Sequence, residues 1–301
     1  MKYRRLGRTG VRVPVVGVGT WQLGGDWGKD FTQAEADAML GRAAEIGINL
    51  IDTAACYGPD HLSESMIGRF LRGRDRDDWV IASKFGHRPG WQPDELRQTL
   101  DDSLRALGTD YIDVWQFHSG SDEQFRTEGM WEELNRQVES GKVRHLGISI
   151  GPNTNIYQTS RATEVNASTI QVVYNRLDRG AEEQVLPSCE EQDLGVLARV
   201  PLASGLLSGK YGPDAKWPER DVRARRDPGG VRARIEQVLR IRDEEVPEGV
   251  QMAPWALAWC LQHPAVTCVI PGCKTVGQVE SNASAADLDM VRDDHPQAWP
   301  G

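Results

Sequence analysis

Apolar runs of strand length recur along this chain at intervals of just over thirty residues, and three successive runs each deliver one ionisable side chain to their end. Residues 49–54 read as a short strand with Leu50 and Asp52 on one side and Ile51 on the other, followed by a turn that carries Tyr57. In residues 79–84, Val80, Ala82 and Lys84 share a side; in residues 111–118, Ile112, Val114, Gln116 and His118 do. Lys84 follows Asp52 by 32 residues and His118 follows Lys84 by 34, about one strand and one helix per step. Parallel strands joined in this way bring their carboxyl ends to one edge, so Asp52, Lys84 and His118 are expected to converge there, with Tyr57 on the adjoining loop.

The alternation extends along the chain. Strands are expected over 13–21, 49–54, 79–84, 111–118, 143–150, 168–175, 195–201 and 266–271. Helices are expected over 32–46, 61–72, 93–107, 130–140, 154–162 and 182–192, then an interrupted helical stretch over 231–262 and a last helix from Val276. Eight units with nearly continuous Val, Ile and Leu in the strands predict a closed parallel (β/α)8 TIM barrel, because such strands must be covered on both faces. Residues 2–15 hold a Gly-Arg-Thr-Gly turn between two short segments, expected to form a β-hairpin at the barrel floor. Leu96, Leu100, Leu104 and Leu107 form one helical stripe after Pro93, a pattern of core packing. Residues 119–129 and 208–230 are the two long loops, both expected to overhang the carboxyl ends of the strands.

At 301 residues and 39% hydrophobic content, a single barrel domain spanning 1–301 is the expected organisation. A net charge of −9 argues against a nucleic-acid or anionic-membrane partner. No apolar run approaches the roughly 20 residues of a bilayer span, and no signal-peptide core follows the basic first residues. The five cysteines, Cys56, Cys189, Cys260, Cys268 and Cys273, show no metal-ligand spacing, and their odd number suits reduced thiols in a cytoplasm. Gly17-Val-Gly19 lacks the third glycine of a Rossmann turn, since Gln22 stands there, and Ser208-Gly-Lys210 lacks the remainder of a phosphate loop.

A free tyrosine, with a pKa of about 10, is a poor acid at neutral pH. An ammonium beside it favours the phenolate and is expected to lower that pKa, while a carboxylate keeps the ammonium charged and oriented. Asp52, Tyr57, Lys84 and His118 therefore suit proton delivery to a developing alkoxide, His118 acting as a second donor or orienting group.

The run from Asn49 through Asp52, Cys56 and Tyr57 to Gly58, the Ser63-Glu-Ser-Met-Ile-Gly68 segment, the Ser83-Lys84 strand end and the run from Asp110 to His118 resemble the aldo-keto reductase family. So do Gly205-Leu-Leu-Ser-Gly-Lys-Tyr211 and Val269-Ile-Pro-Gly-Cys-Lys274 with Gln278 and Asn282, in the same order over nearly the whole chain. The resemblance implies hydride transfer from NADPH, or possible use of NADH, to a small-molecule aldehyde or ketone, with no metal or flavin. It makes Tyr57 the general acid, Lys84 the partner that lowers its pKa, Asp52 the anchor of Lys84, and His118 the residue that orients the carbonyl.

For the cofactor, the resemblance implies Ser149 and Gln171 at the nicotinamide amide, Gly19, Thr20, Trp21 and Asp52 around the nicotinamide end, and Arg199 with Val200 and Pro201 where many members stack an aromatic ring. Leu202, Ser204, Gly205, Leu207 and Lys210 fall on the pyrophosphate loop; Gly272, Lys274, Gln278 and Asn282 fall at the adenosine end. Three positions depart from the pattern. Ile150 replaces an asparagine, Arg199 replaces an aromatic residue, and Gln278 replaces an arginine that holds the 2′-phosphate, leaving Lys274 for that task.

Trp21, Trp27, Tyr57, His87, Trp91 and His118 are the expected pocket residues, although Trp27 and Trp91 equally suit hinge or surface packing. Cys56 reads as a small buried filler, and the Arg220 to Arg226 run as a solvated loop or a basic lid over phosphates. The expected state is a monomer or weak homo-oligomer. Two other functions fit parts of the pattern: a nucleotide-binding regulatory or accessory subunit, and a Schiff-base barrel enzyme using Lys84. The second conflicts with Lys84 being paired to Asp52, because a charged lysine is a weak nucleophile.

Overall fold

The computed structural model describes residues 1–87 and 90–299. Strand β1 (Tyr3–Arg5) pairs antiparallel with β2 (Arg12–Pro14). Eight parallel strands then follow: β3 (Val18–Gly19), β4 (Leu50–Asp52), β5 (Val80–Phe85), β6 (Ile112–His118), β7 (Val143–Ser149), β8 (Ala167–Val173), β9 (Gly195–Arg199) and β10 (Cys268–Val269). They neighbour one another in sequence order, and parallel bridges Val16 to Val269 and Gly19 to Gly272 join the last strand to the first. The sheet therefore closes as the barrel expected from the sequence.

The intervening helices are α1 (Gln33–Glu45), α2 (Leu62–Leu71), α3 (Pro93–Leu107), α4 (Asp122–Phe125), α5 (Met130–Glu139), α6 (Ile156–Ser160), α7 (Val185–Glu191), α8 (Pro228–Glu245), α9 (Met252–Leu261) and α10 (Val276–Ala283). Their ends follow local chemistry. Thr32 and Glu35 make a reciprocal capping box on α1. On α3, Pro93 takes the first position and Gly108 closes the helix in the left-handed region, at φ 65°. The α3 stripe of Leu96, Leu100, Leu104 and Leu107 is buried against the sheet, and truncating one such leucine to alanine costs about 2–5 kcal/mol.

Two apolar layers result. Outward-facing strand residues such as Ile51, Ile81 and Trp115 pack with the helices. Inward-facing Leu50, Ala82, Val114, Leu197 and Cys268 fill the lumen, together with Leu6 and Val13 from the hairpin. The hairpin lies at the floor, where the Arg8 N–H donates to the Asp193 carbonyl and Gly7 bridges to Leu194, just before β9. A side chain at Gly7 would strike the Gly195 nitrogen at 2.0 Å, so this contact requires glycine.

The expected first strand, 13–21, divides: Val13 and Pro14 belong to the hairpin, Val18 and Gly19 to the barrel, and Trp21–Gly24 turns into a 3-10 segment. The stretch over 231–262 is two helices, α8 and α9, separated at Pro247. The loop over 119–129 contains α4, and the loop over 208–230 contains a 3-10 turn at Val222–Arg225. Among the described residues no helix is long and apolar enough to cross a membrane.

Candidate active site

Strand register sets the rim. Gly19 pairs with Asp52, Lys84 with Gln116, His118 with Ser149, and Ser149 with Gln171, so side chains remote in sequence occupy adjoining rungs at the carboxyl ends. Lys84 Nζ, fully buried, donates to Asp52 Oδ2 at 2.8 Å, to the Thr53 carbonyl at 2.6 Å and to Tyr57 Oη at 3.2 Å. Gln171 Nε2 donates to the other Asp52 oxygen at 2.7 Å, and Ser149 Oγ lies 3.5 Å from Gln171 Oε1. The His118 ring meets the Tyr57 ring edge-on at 6.0 Å and the His87 ring at 4.4 Å.

The electrostatics follow from burial and these partners. Burial works against the Lys84 charge, but Asp52 and Tyr57 outweigh it and hold its pKa above the ordinary value. Burial raises the Tyr57 phenol above its usual value, with Lys84 pulling the other way. The net direction is opposite to that expected from the sequence, which weighed the neighbouring charge without the loss of hydration. Burial, reinforced by Lys84, His87 and Arg199, pushes His118 well below its usual range and keeps the ring neutral. The rim therefore holds a protonated phenol, a charged ammonium and a neutral imidazole at neutral pH.

These groups open into a cavity of about 920 Å³. Its wall includes Gly19, Thr20, Trp21, Trp27, Asp52, Tyr57, His87, His118, Gln171, Arg199, Val200, Pro201, Leu202, Ser204, Gly205, Lys210, Gly272, Lys274, Gln278 and Asn282 from the expected set. Ser149 and Leu207 lie buried behind the wall. Trp91 packs on Phe85 and Phe117, over Gly86 and Gly120, and does not line the cavity. Cys56 is no buried filler: it is half-buried, lines the cavity, and its sulfur lies 3.7 Å from His118 Nδ1.

Arg199 reaches from β9 across β8 to the carbonyls of Ile150 and Gly151, at 3.0 and 3.2 Å, and its buried Nε has no partner among the described residues. Farther along the groove, Lys274 Nζ donates to the Trp27 carbonyl at 2.6 Å and lies 3.9 Å from Asp221. The 220–226 segment is not a freely solvated loop. Arg223 and Asp221 are buried and paired at 2.7 Å, Val222 N–H donates to the Asp26 carbonyl, Arg220 pairs with Asp30, and Arg226 donates to Ser204 Oγ at 2.7 Å.

Arg223, from the run read as a solvated loop or a basic lid over phosphates, also lines the cavity, as do Tyr211, Arg242, Gln251 and Met252, which the sequence did not mark as pocket residues. The arginine-rich run was the only signal for the first. Close backbone passage is built in at Gly19, where a side chain would strike the Ile270 carbonyl at 2.7 Å, while Gly272 leaves room for the Gln22 side chain. Lys210, Arg223 and Lys274 line the same cavity as the polar rim, a set of cations suited to the phosphates of a nicotinamide dinucleotide.

The model of the aldo/keto reductase family matches residues 15–298. The "Uncharacterized oxidoreductase YrpG" of Bacillus subtilis (strain 168) is 31% identical over 313 residues, covering 97% of this chain and 93% of the relative. The L-glyceraldehyde 3-phosphate reductase of Escherichia coli (strain K12) is 30% identical, covering 95% of this chain and 87% of the relative. Among solved structures, the aldo-keto reductase AKR11C1 from Bacillus halodurans (holo form) superposes with a TM-score of 0.79 at 28% identity, covering 96% of this chain and 91% of the other.

Proposed function

The chain belongs to the aldo/keto reductase family, an oxidoreductase acting on aldehydes or ketones, and from that premise we propose that it uses NADPH with Tyr57 as the general acid. The observation that carries this reading is the buried Lys84 ammonium, bonded to both Asp52 and Tyr57, which line the cavity. When bound, the reduced nicotinamide supplies the hydride. As negative charge develops on the carbonyl oxygen, Tyr57 Oη gives its proton to that oxygen.

A phenol whose pKa is raised by burial keeps its proton at neutral pH and holds it for the alkoxide that develops on the substrate. Lys84 stabilises the phenolate left behind until solvent returns the proton, and Asp52 holds Lys84 charged and aimed. Neutral His118 donates an N–H to the same carbonyl oxygen and fixes its direction. Gln171, backed by Ser149, would hold the nicotinamide amide, Arg199 would face its ring, Leu202, Ser204 and Gly205, with Leu207 packed behind them, would follow the pyrophosphate, and Lys274 with Gln278 and Asn282 would hold the adenosine end. Lys274 is the cation for a 2′-phosphate, which favours NADPH while leaving NADH usable.

The chain acts as one barrel domain, in the cytoplasm, as a monomer or weak homo-oligomer. Incubation with NADPH and 4-nitrobenzaldehyde tests the reading. Stoichiometric 4-nitrobenzyl alcohol and NADP⁺ are expected; no nucleotide binding and no alcohol overturn it.

A further inference from the structure

We propose that Glu64 is a positioning residue for the proton-delivery set, tying the outer face of β5 beside Lys84 to the turn that carries Tyr57. The proposal rests on the function proposed above. Glu64 lies in the first turn of α2 with no solvent exposure. Its Oε1 accepts from Ser83 Oγ at 2.5 Å, and its Oε2 meets His61 Nδ1 at 2.5 Å. Ser83 precedes Lys84 on β5, so with alternating side chains a bond on the outer face fixes the backbone from which Lys84 projects inward. His61 ends the short turn that begins at Tyr57.

The neighbouring Ser63 extends the tie. Its N–H donates to the Tyr57 carbonyl at 3.1 Å, and its hydroxyl lies 2.9 Å from Thr53 Oγ1 and from Thr20 Oγ1. Thr20 Oγ1 in turn donates to the Asp52 carbonyl at 2.8 Å. One helical turn thus grips the residues next to Asp52 and Lys84 and the backbone of Tyr57. A buried carboxylate is a poor choice for stability alone, since an apolar residue among Met66, Ile67 and Phe70 would avoid its desolvation. What the carboxylate adds is direction.

The turn needs an external hold. Asp60 and His61 are consecutive non-glycine residues in the left-handed region, at φ 48° and 56°. The groups facing His61 are Glu64 on its own helix, Asp60 in the turn and Asp102 on α3, all acidic. The Glu64 bond, against some loss of hydration, raises the His61 pKa. The charged latch is therefore present below that raised pKa and weakens as pH rises through it.

The test compares Glu64→Ala, Glu64→Gln and His61→Gln with the wild type, reading kcat with 4-nitrobenzaldehyde, NADPH affinity by fluorescence, and amide exchange at Ser63. Glu64→Ala is expected to lower kcat about 100-fold, as an ångström-scale misplacement does, with NADPH affinity within about twofold and Ser63 exchange at least about tenfold faster. Glu64→Gln, which still accepts from Ser83, should recover part of kcat and carries the test if the alanine variant does not fold. His61→Gln should remove a kcat decline that the wild type shows as pH rises through the raised His61 pKa, above the ordinary histidine range. Wild-type kcat and Ser63 exchange in a folded Glu64 variant overturn the proposal, as does a kcat loss matched by an equal loss of NADPH affinity. A wild type that never oxidises NADPH sinks the function instead, while Ser63 exchange still reports whether Glu64 holds the turn.

Discussion

Gln171 donates its amide to Asp52 Oδ1 at 2.7 Å while Lys84 holds Oδ2 at 2.8 Å, so one carboxylate joins β8, β4 and β5 across the top of the lumen. Both oxygens are engaged, and the ammonium that faces Tyr57 has little freedom to turn away. Function and stability are therefore coupled at this residue.

Replacing Asp52 with asparagine leaves a fully buried ammonium without its counter-charge. Breaking one side of such a pair costs about 3–5 kcal/mol, so the melting temperature should fall measurably, and turnover should fall by about 10²-fold or more. Adding Lys84→Met to Asp52→Asn should restore much of the stability in thermal melts and none of the turnover. Recovery of activity in the double variant would contradict the assignment.

Lys274 sits with its ammonium on the Trp27 carbonyl, and burial together with Arg223 lowers its pKa, as expected for a cation kept near others. Its proposed partner is a 2′-phosphate. Lys274→Ala should weaken NADPH binding by about tenfold and leave NADH within about twofold, measured by titration at fixed ionic strength. Equal weakening of both nucleotides would place the phosphate contact elsewhere.

Acid should destabilise the chain through His295 near its end. That ring accepts the Gln297 N–H at Nδ1 and lies 3.3 Å from the His263 carbonyl through Nε2, an arrangement for a neutral imidazole. Burial, with Arg4 adding to it, lowers its pKa to about 4. The folded state then binds fewer protons than the unfolded chain between about 6.5 and 4, so stability falls as pH drops through that window, by roughly 3 kcal/mol. His295→Gln should flatten this part of the melting-temperature profile relative to wild type. Identical slopes would rule the histidine out.

The barrel was legible in the sequence because strand alternation and the regular interval of strand plus helix are local signals. Asp52, Lys84 and His118 could be placed on one rim from those signals alone. The direction of the Tyr57 shift could not, because it depends on how completely the phenol loses water, a property of the assembled loops. Arg223 was hidden for a related reason: its run of arginines reads as solvated until Asp221, Trp27 and Tyr211 are seen to enclose it. Glu64 stands in the Ser63–Gly68 segment that carries the resemblance, but its partners are not legible there, since neither Ser83 nor His61 announces itself as a partner at a distance. Trp91 takes the packing placement that its position equally suited, because Gly86 and Gly120 leave room for its ring against Phe85 and Phe117.

The most direct test is the rate of NADPH oxidation with saturating 4-nitrobenzaldehyde in wild type and Tyr57→Phe, with NADPH affinity measured for both. The phenylalanine variant keeps the ring and loses only the proton that Lys84 addresses. It should bind NADPH within about twofold of wild type and turn over at least about 10²-fold more slowly. Equal turnover by the two proteins, with intact binding, would contradict Tyr57 as the proton donor.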